Sequence, residues 1–194
     1  MIDYINQIKE YIEIEKSALE KLPVQDINRV MNLLEEARMS GKRIFICGNG
    51  GSASTASHFE SDFNKGVSYD QDIKYDFECL SDNVPMLMAI ANDISYDDVF
   101  VVPLRNKLKV GDIVIGISGS GNSENVVRAI KYGNEIGATT VALVGYNGGQ
   151  LKNLAQYNIH MEIDNMQVVE DLHLVLNHMM MYILSKLNGG NKNG

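Results

Sequence analysis

The sequence is poor in cysteine and proline and contains no tryptophan. Its 194 residues include two cysteines and three prolines. Because two cysteines are too few for a disulfide framework, we expect a reducing, cytoplasmic setting. No run of about 18 apolar residues occurs, so we expect no membrane-spanning helix. The start of the chain is amphipathic and charged, which is unlike a signal peptide or a membrane anchor.

Basic residues are also scarce relative to acidic ones. The chain has 17 lysines and arginines against 25 aspartates and glutamates, for a formal net charge of -8. A general nucleic-acid binder needs a basic surface to neutralise phosphates, so we expect no nucleic-acid partner. A local pocket for a small phosphate ester remains compatible with this charge. The length suits one α/β domain with a sizeable core.

Two amphipathic helices are predicted before the first strand. Apolar residues recur at helical spacing over 3–21 and again over 25–40, with Pro23 between them and Gly41 as a C-cap. Two such helices cannot bury their apolar faces alone. They must therefore pack on the rest of the domain or on another subunit.

Strand-like and helical segments alternate through the rest of the chain. This alternation predicts an α/β fold with a mostly parallel sheet covered on both faces. Strands are expected at 43–47, 76–79, 112–117, 139–144 and 157–161. Helices are expected at 52–65, 84–92, 96–108, 123–136 and 165–188. We treat 1–188 as one domain, with 1–41 as its helical pair and 189–194 as a disordered tail.

A glycine-rich turn, Gly48–Ser52, lies between the first predicted strand and a helix. Glycines allow a close backbone approach to a ligand, and the free N–H groups at a helix start attract anions. The turn lacks the third glycine of the dinucleotide fingerprint and the Gly-Lys-Ser/Thr of the Walker motif. Taken alone, it favours a simple tight turn.

A second strand–turn–helix, Gly116–Val126, repeats this arrangement and adds three hydroxyls from Ser118, Ser120 and Ser123. Hydroxyls together with helix-start N–H groups suit a dianionic phosphate without a lysine. One serine, or Asn122, could serve as an N-cap. Three serines exceed what capping needs, so we favour phosphate binding.

Acidic and histidine side chains recur on two helices. His58 and Asp62 are four residues apart and share one helix face, where they could bind a divalent metal or share a proton. Glu60 lies off that face and is expected to be solvated. The apolar stretch Val169–Leu184 contains further polar residues, which need partners if they are buried. These are Glu170, Asp171, His173, Asn177 and His178.

These segments together resemble the sugar isomerase (SIS) domain family. The resemblance rests on CGNGGSASTASHF, AIANDIS, GISGSGNSENV and the acid-x-x-His-x-x-x-x-His helix, in this order. It covers nearly the whole chain and is strongest to the phosphoheptose isomerases within the family. The family's fold is a three-layer domain with a five-stranded parallel sheet between helices. Its homotetramer is built around a helical bundle, which would use the two N-terminal helices, with active sites at subunit interfaces.

The resemblance implies a reaction and a set of site residues. The reaction converts sedoheptulose 7-phosphate to D-glycero-D-manno-heptose 7-phosphate, a precursor of surface glycans such as lipopolysaccharide or capsule. The implied phosphosugar contacts are Asn49, Gly50, Gly51, Ser52, Asn92, Asp93, Ser118, Gly119, Ser120 and Ser123. The implied zinc ligands are His58, Asp62, Glu170 and His178. Among these, the implied catalytic groups are Asp62 as base, His178 as acid and Glu170 as a substitute base.

Two of these positions depart from the family pattern. Asp62 stands where the family has a glutamate, so its carboxylate is shorter by roughly 1.5 Å, one carbon–carbon step. Glu170 stands where the family has a glutamine and adds a negative charge. These departures keep two alternatives open: an isomerase of another phosphosugar, and a non-catalytic regulator that binds a phosphosugar.

Overall fold

The structure, a computed structural model, describes residues 2–187 and contains one five-stranded parallel sheet. The strand order is β2-β1-β3-β4-β5. The strands are β1 (Ile44–Cys47), β2 (Phe77–Cys79), β3 (Ile113–Ser118), β4 (Thr139–Val144) and β5 (Tyr157–His160). The predicted α/β fold and its five-stranded parallel sheet are therefore confirmed. The predicted disordered tail, 189–194, lies outside the described residues.

Helices cover both faces of the sheet. They are α1 (Ile5–Leu19), α2 (Val24–Met39), α3 (Gly51–Ser61), α4 (Val84–Asp93), α5 (Val101–Lys107), α6 (Glu124–Ile136), α7 (Gly149–Leu154) and α8 (Met166–Leu187). The helix predicted over 52–65 is in fact α3 followed by a π-helix, Asp62–Val67. The helix predicted over 96–108 is a 3₁₀-helix, Tyr96–Asp98, followed by α5. Helix α7 was not predicted.

Strands β1, β3 and β4 are buried on both faces along almost their whole length, as a three-layer fold requires. Alternate residues of β1 enter opposite cores: Ile44 and Ile46 pack with α2, α3 and α8, whereas Phe45 and Cys47 pack with α5 and α6. Strand β3 divides its side chains in the same way. This burial explains why β1, β3 and β4 are largely apolar instead of alternating between apolar and polar residues.

The two N-terminal helices differ in how they are packed. Helix α2 buries Ile27, Val30 and Leu34 against the sheet domain. Helix α1 buries only Ala18 and leaves a row of large apolar side chains exposed. They are Ile5, Ile8, Tyr11, Ile12, Ile14 and Leu19, and Tyr4 just before the helix is exposed as well. Among residues 2–187, no helix is long and apolar enough to cross a membrane.

The strand order creates a crevice between β1 and β3, because the connections from these two strands run to opposite sides of the sheet. Strands β1 and β3 are neighbours, but β1 is followed by β2 on one side and β3 by β4 on the other. Ligands in open α/β sheets bind in such a crevice, beyond the carboxyl ends of the strands. The two glycine-rich turns singled out in the sequence follow β1 and β3, so both lie at this position.

Candidate functional site

The first turn opens helix α3 with an uncapped N-terminus. Gly50 has a φ of +54° and precedes the helix without a side-chain cap, so the N–H groups of Gly51 and Ser52 have no capping side chain, whereas that of Ala53 donates to Gly50 O at 3.0 Å. The Glu170 carboxylate lies against Gly51: a Cβ built on that glycine would be 2.4 Å from its Oε2 atom. A negative charge is favourable at this end of a helix. The structure thus places Glu170 beside the turn expected to contact the phosphosugar.

The second turn brings serine hydroxyls together at the start of α6. The Oγ atoms of Ser118 and Ser123 are 3.0 Å apart. Ser123 is the N-cap residue by position, but its side chain makes no capping hydrogen bond. Ser120 borders an adjacent cleft of about 650 Å³. The hydroxyls therefore have a geometry that simple helix capping does not explain.

An amide pair joins the two turns. Asn49 donates from Nδ2 to Asn125 Oδ1 at 2.9 Å, and Asn125 Nδ2 donates to Asn49 Oδ1 at 3.0 Å. Asn125 lies in the first turn of α6 and is buried. The Tyr96 hydroxyl also donates to Asn49 Oδ1, at 2.9 Å. Sequence reasoning missed Asn125 and Tyr96, although Asn125 lies two residues beyond Ser123 in the predicted helix start.

Three of the four predicted metal ligands converge from two distant parts of the chain. Nε2 of His58 lies 3.3 Å from Asp62 Oδ2, and Nε2 of His178 lies 3.9 Å from the same oxygen. The two Nε2 atoms are 3.4 Å apart. One ligand atom from each residue lies within 4.8 Å of the others. The i,i+4 pair on α3 and the π-helix therefore meets a histidine of α8.

Distances within this cluster suit a tetrahedral divalent ion. Zinc bonds of about 2.0–2.1 Å to nitrogen and oxygen imply ligand atoms roughly 3.3 Å apart. Asn177 Nδ2 donates at 2.7 Å to Asp62 Oδ2, the same oxygen that faces the two imidazoles, and so orients the carboxylate toward them. Metal sites commonly orient their ligands through such outer contacts. The donor set of two imidazoles and a carboxylate therefore fits a zinc ion.

Glu170 is not part of this cluster, although the family resemblance implies it as a fourth ligand. It lies two turns before His178 on α8, roughly 12 Å along a regular helix axis. Its carboxylate faces Gly51 at the start of α3. The structure thus separates Glu170, beside the first turn, from the cluster of His58, Asp62 and His178.

Asn92 and Asp93 form the end of helix α4 and are both exposed. Asn92 Nδ2 donates to Asp93 Oδ1 at 2.8 Å. No bond joins them to the other predicted site residues within 2–187. The 3₁₀-helix Tyr96–Asp98 begins three residues after Asp93, and the Tyr96 hydroxyl donates to Asn49 Oδ1.

Glu60 was expected to be solvated, and this prediction is wrong. Its Oε2 atom accepts a hydrogen bond from the backbone N–H of Cys79 at 2.6 Å, and burial raises the pKa of its carboxyl. Glu60, Cys79 and Asp82 form a second group with possible ligand atoms. Burial raises the pKa of the Cys79 thiol to about 12, which disfavours the thiolate that a metal would need. We therefore assign Glu60 a structural role.

His173 shows that a histidine on this apolar helix can be buried without a partner. Neither ring nitrogen has a hydrogen-bond partner within the described chain, and the side chain is 1% exposed. Burial lowers the pKa of His173 to about 4, so the ring is neutral near pH 7. The expectation that a buried histidine here would find a partner is wrong for His173, whereas His178 is exposed and lies beside His58 and Asp62.

Comparison with known proteins agrees with this geometry. Residues 3–145 match the SIS domain family. A probable phosphoheptose isomerase from Thermoplasma acidophilum is 36% identical over 172 residues, covering 89% of this chain and 94% of that protein. The phosphoheptose isomerase of Clostridium acetobutylicum is 33% identical over 187 residues, covering 96% of this chain and 95% of that protein.

A solved structure extends the agreement to three dimensions. The phosphoheptose isomerase from Neisseria gonorrhoeae superposes with a TM-score of 0.87 at 26% identity, covering 95% of this chain and all of that one. The chain therefore belongs to the SIS domain family and, within it, to the phosphoheptose isomerase group.

Proposed function

We propose that this enzyme interconverts sedoheptulose 7-phosphate and D-glycero-D-manno-heptose 7-phosphate, supplying heptose for surface glycans. The observation that carries the proposal is the convergence of His58, Asp62 and His178 from helices far apart in sequence. A protein that only sensed a phosphosugar would need no such acid–base set. The named relatives of similar length support the same reaction.

Each part of the site has a separate task in this proposal. The serine hydroxyls and the free N–H groups of α6 hold the phosphate, so the carbonyl end of the sugar is presented reproducibly. Asp62 removes the proton beside the carbonyl, and His178 protonates the carbonyl oxygen, giving an enediol. Glu170, next to Gly51, contacts the sugar and serves as the substitute base. The remaining sugar contacts are proposed at Asn49, Gly50, Ser52, Asn92, Asp93 and Gly119.

Zinc is part of the proposal because the donor atoms of the cluster fit it. His58, Asp62 and His178 would hold the ion, with Glu170 as a fourth ligand only if its side chain turns toward them. When bound, zinc would act as a Lewis acid toward the sugar oxygens. Asn177 orients the Asp62 carboxylate through its hydrogen bond to Oδ2.

Chelation tests the metal directly. Treatment with a chelator is expected to lower activity by at least tenfold, and zinc should restore it, because the cluster loses its shared cation. The His58→Ala variant should bind less than one zinc per chain by elemental analysis. A protein that stays fully active after complete metal removal contradicts this part of the proposal.

The proposed assembly is a cytoplasmic homotetramer with 1–188 as one domain. Its support is the exposed apolar row of α1, which in one chain remains in contact with water. Residues 1–41 would supply the helical bundle between subunits. Exposed apolar area of this extent commonly marks a protein–protein interface.

A substrate panel separates the proposed function from its alternatives. Metal-replete protein is assayed for aldose formation with ketopentose 5-phosphates, ketohexose 6-phosphates and ketoheptose 7-phosphates. We expect sedoheptulose 7-phosphate to have the highest kcat/KM. A preference for a shorter sugar would favour another phosphosugar isomerase, which the shortened Asp62 and charged Glu170 make worth testing. Binding without turnover of any sugar would favour the regulator.

A further inference from the structure

The buried amide of Asn125 has an orientation that the surrounding backbone determines. Its Oδ1 atom accepts the N–H of Val126 at 2.9 Å. A backbone N–H can only donate, so the oxygen and not the nitrogen of the amide must face it. The Nδ2 atom of Asn125 is thereby turned toward Asn49 Oδ1, 3.0 Å away.

This orientation decides what Asn49 offers a ligand. Oδ1 of Asn49 already accepts two hydrogen bonds, from Asn125 Nδ2 and from the Tyr96 hydroxyl. Nδ2 of Asn49 uses one hydrogen for Asn125 Oδ1. Its second hydrogen has no partner within residues 2–187. The side chain therefore presents a donor, and its acceptor is occupied.

The segment that carries Tyr96 is itself held against α6. Arg128 of α6 pairs with Asp97 at 3.3 Å and with Asp98 at 3.1 Å. Ser95 caps the 3₁₀-helix by accepting the N–H of Asp97. The hydroxyl of Tyr96 is thus kept near Asn49 by contacts outside the two turns.

We infer that Asn125 is a positioning residue that fixes Asn49 as a hydrogen-bond donor to the bound phosphosugar. The inference rests on the proposed function, because it assigns Asn49 to the sugar-phosphate site. A donor suits the phosphate and carbonyl oxygens of such a ligand, which only accept. Asn125 itself is buried behind Asn49 and acts through it.

The Asn125→Asp variant tests this role with little change in shape. A carboxylate still accepts from Val126 N–H and from Asn49 Nδ2, but it cannot donate to Asn49 Oδ1. The two oxygens repel, and Asn49 loses its fixed orientation. We expect kcat/KM for sedoheptulose 7-phosphate to fall roughly tenfold to hundredfold, chiefly through KM. Asn125→Ala, which adds no charge, replaces this variant if it does not fold.

Asn134→Asp is the matched control on the same helix. Asn134 donates to Leu154 O at 2.8 Å and accepts from Thr140 Oγ1 at 2.7 Å, at the other end of α6. Asn134→Asp also removes one amide donor from α6, but far from Asn49. It therefore measures how much KM changes when a side-chain amide of this helix is lost without any effect on Asn49. We expect its KM to stay within about twofold of the wild-type value.

A double-mutant cycle with Asn49→Ala separates positioning from a general structural effect. If Asn125 acts through Asn49, then Asn125→Asp changes KM by less than about twofold in the Asn49→Ala background. Multiplicative effects in the cycle, or an unchanged KM in the single variant, would overturn the inference. A wild-type protein that turns over no heptose phosphate would instead overturn the proposed function, and the inference with it.

Discussion

The Asp62→Asn substitution is expected to lower kcat for sedoheptulose 7-phosphate by about 10²- to 10⁴-fold, the range for loss of a general base. Asparagine keeps the shape of the side chain but has little basicity at neutral pH. The amide oxygen can still accept from Asn177, so the local packing should persist. Steady-state kinetics with saturating zinc measure the effect, and elemental analysis shows whether the metal remains bound.

Asp70→Asn is the control for this substitution. Asp70 is exposed just beyond the π-helix and is outside the cluster, and its substitution changes the net charge by the same amount. We expect its kcat to match the wild-type value. An Asp62→Asn variant with more than about one-tenth of wild-type kcat would show that another group, such as Glu170, removes the proton.

The Gly121→Ala substitution is expected to lower the free energy of unfolding by about 2–4 kcal/mol. Gly121 has a φ of +67°, which is unfavourable for alanine. A Cβ there would lie 2.0 Å from the backbone oxygen of Gly148, so one of two backbone segments must move. Those segments are also joined by the hydrogen bond from Leu151 N–H to Gly121 O at 3.0 Å. Chemical denaturation at a fixed protein concentration measures the loss.

Gly41→Ala separates the two causes of that loss. Gly41 has a similar φ of +62°, but a Cβ there meets nothing within 4 Å. Its cost is therefore the backbone term alone, about 1–2 kcal/mol. Equal losses for the two variants would mean that the contact between the second turn and Gly148 does not constrain the fold.

Much of the fold could be predicted from local sequence pattern. All five strands and most helices follow from the pattern of apolar residues. A strand buried on both faces leaves a short apolar run, and a helix buried on one face leaves apolar residues at helical spacing. Helix α7 is six residues long and buries only Leu151, so it leaves too short a pattern to detect. The π-helix at Asp62–Val67 was missed because it continues α3 with no break in composition.

The site was predictable in its residue types but not in its three-dimensional grouping. The spacing of His58 and Asp62 places them on one helix face, but only the packing of α3 against α8 brings His178 to them. Packing also separates Glu170 from this cluster and buries Asn125 between the two turns. Such contacts span 76 to 120 residues, and sequence periodicity carries no information about them.

Exchange of solvent deuterium tests the central claim most directly. Metal-replete enzyme is incubated with sedoheptulose 7-phosphate in D₂O and followed by NMR. The account predicts aldoheptose 7-phosphate together with deuterium at the carbon next to the carbonyl, and formation of both about 100-fold slower or more with Asp62→Asn. Folded, zinc-loaded wild-type protein that yields neither product nor exchange would contradict it.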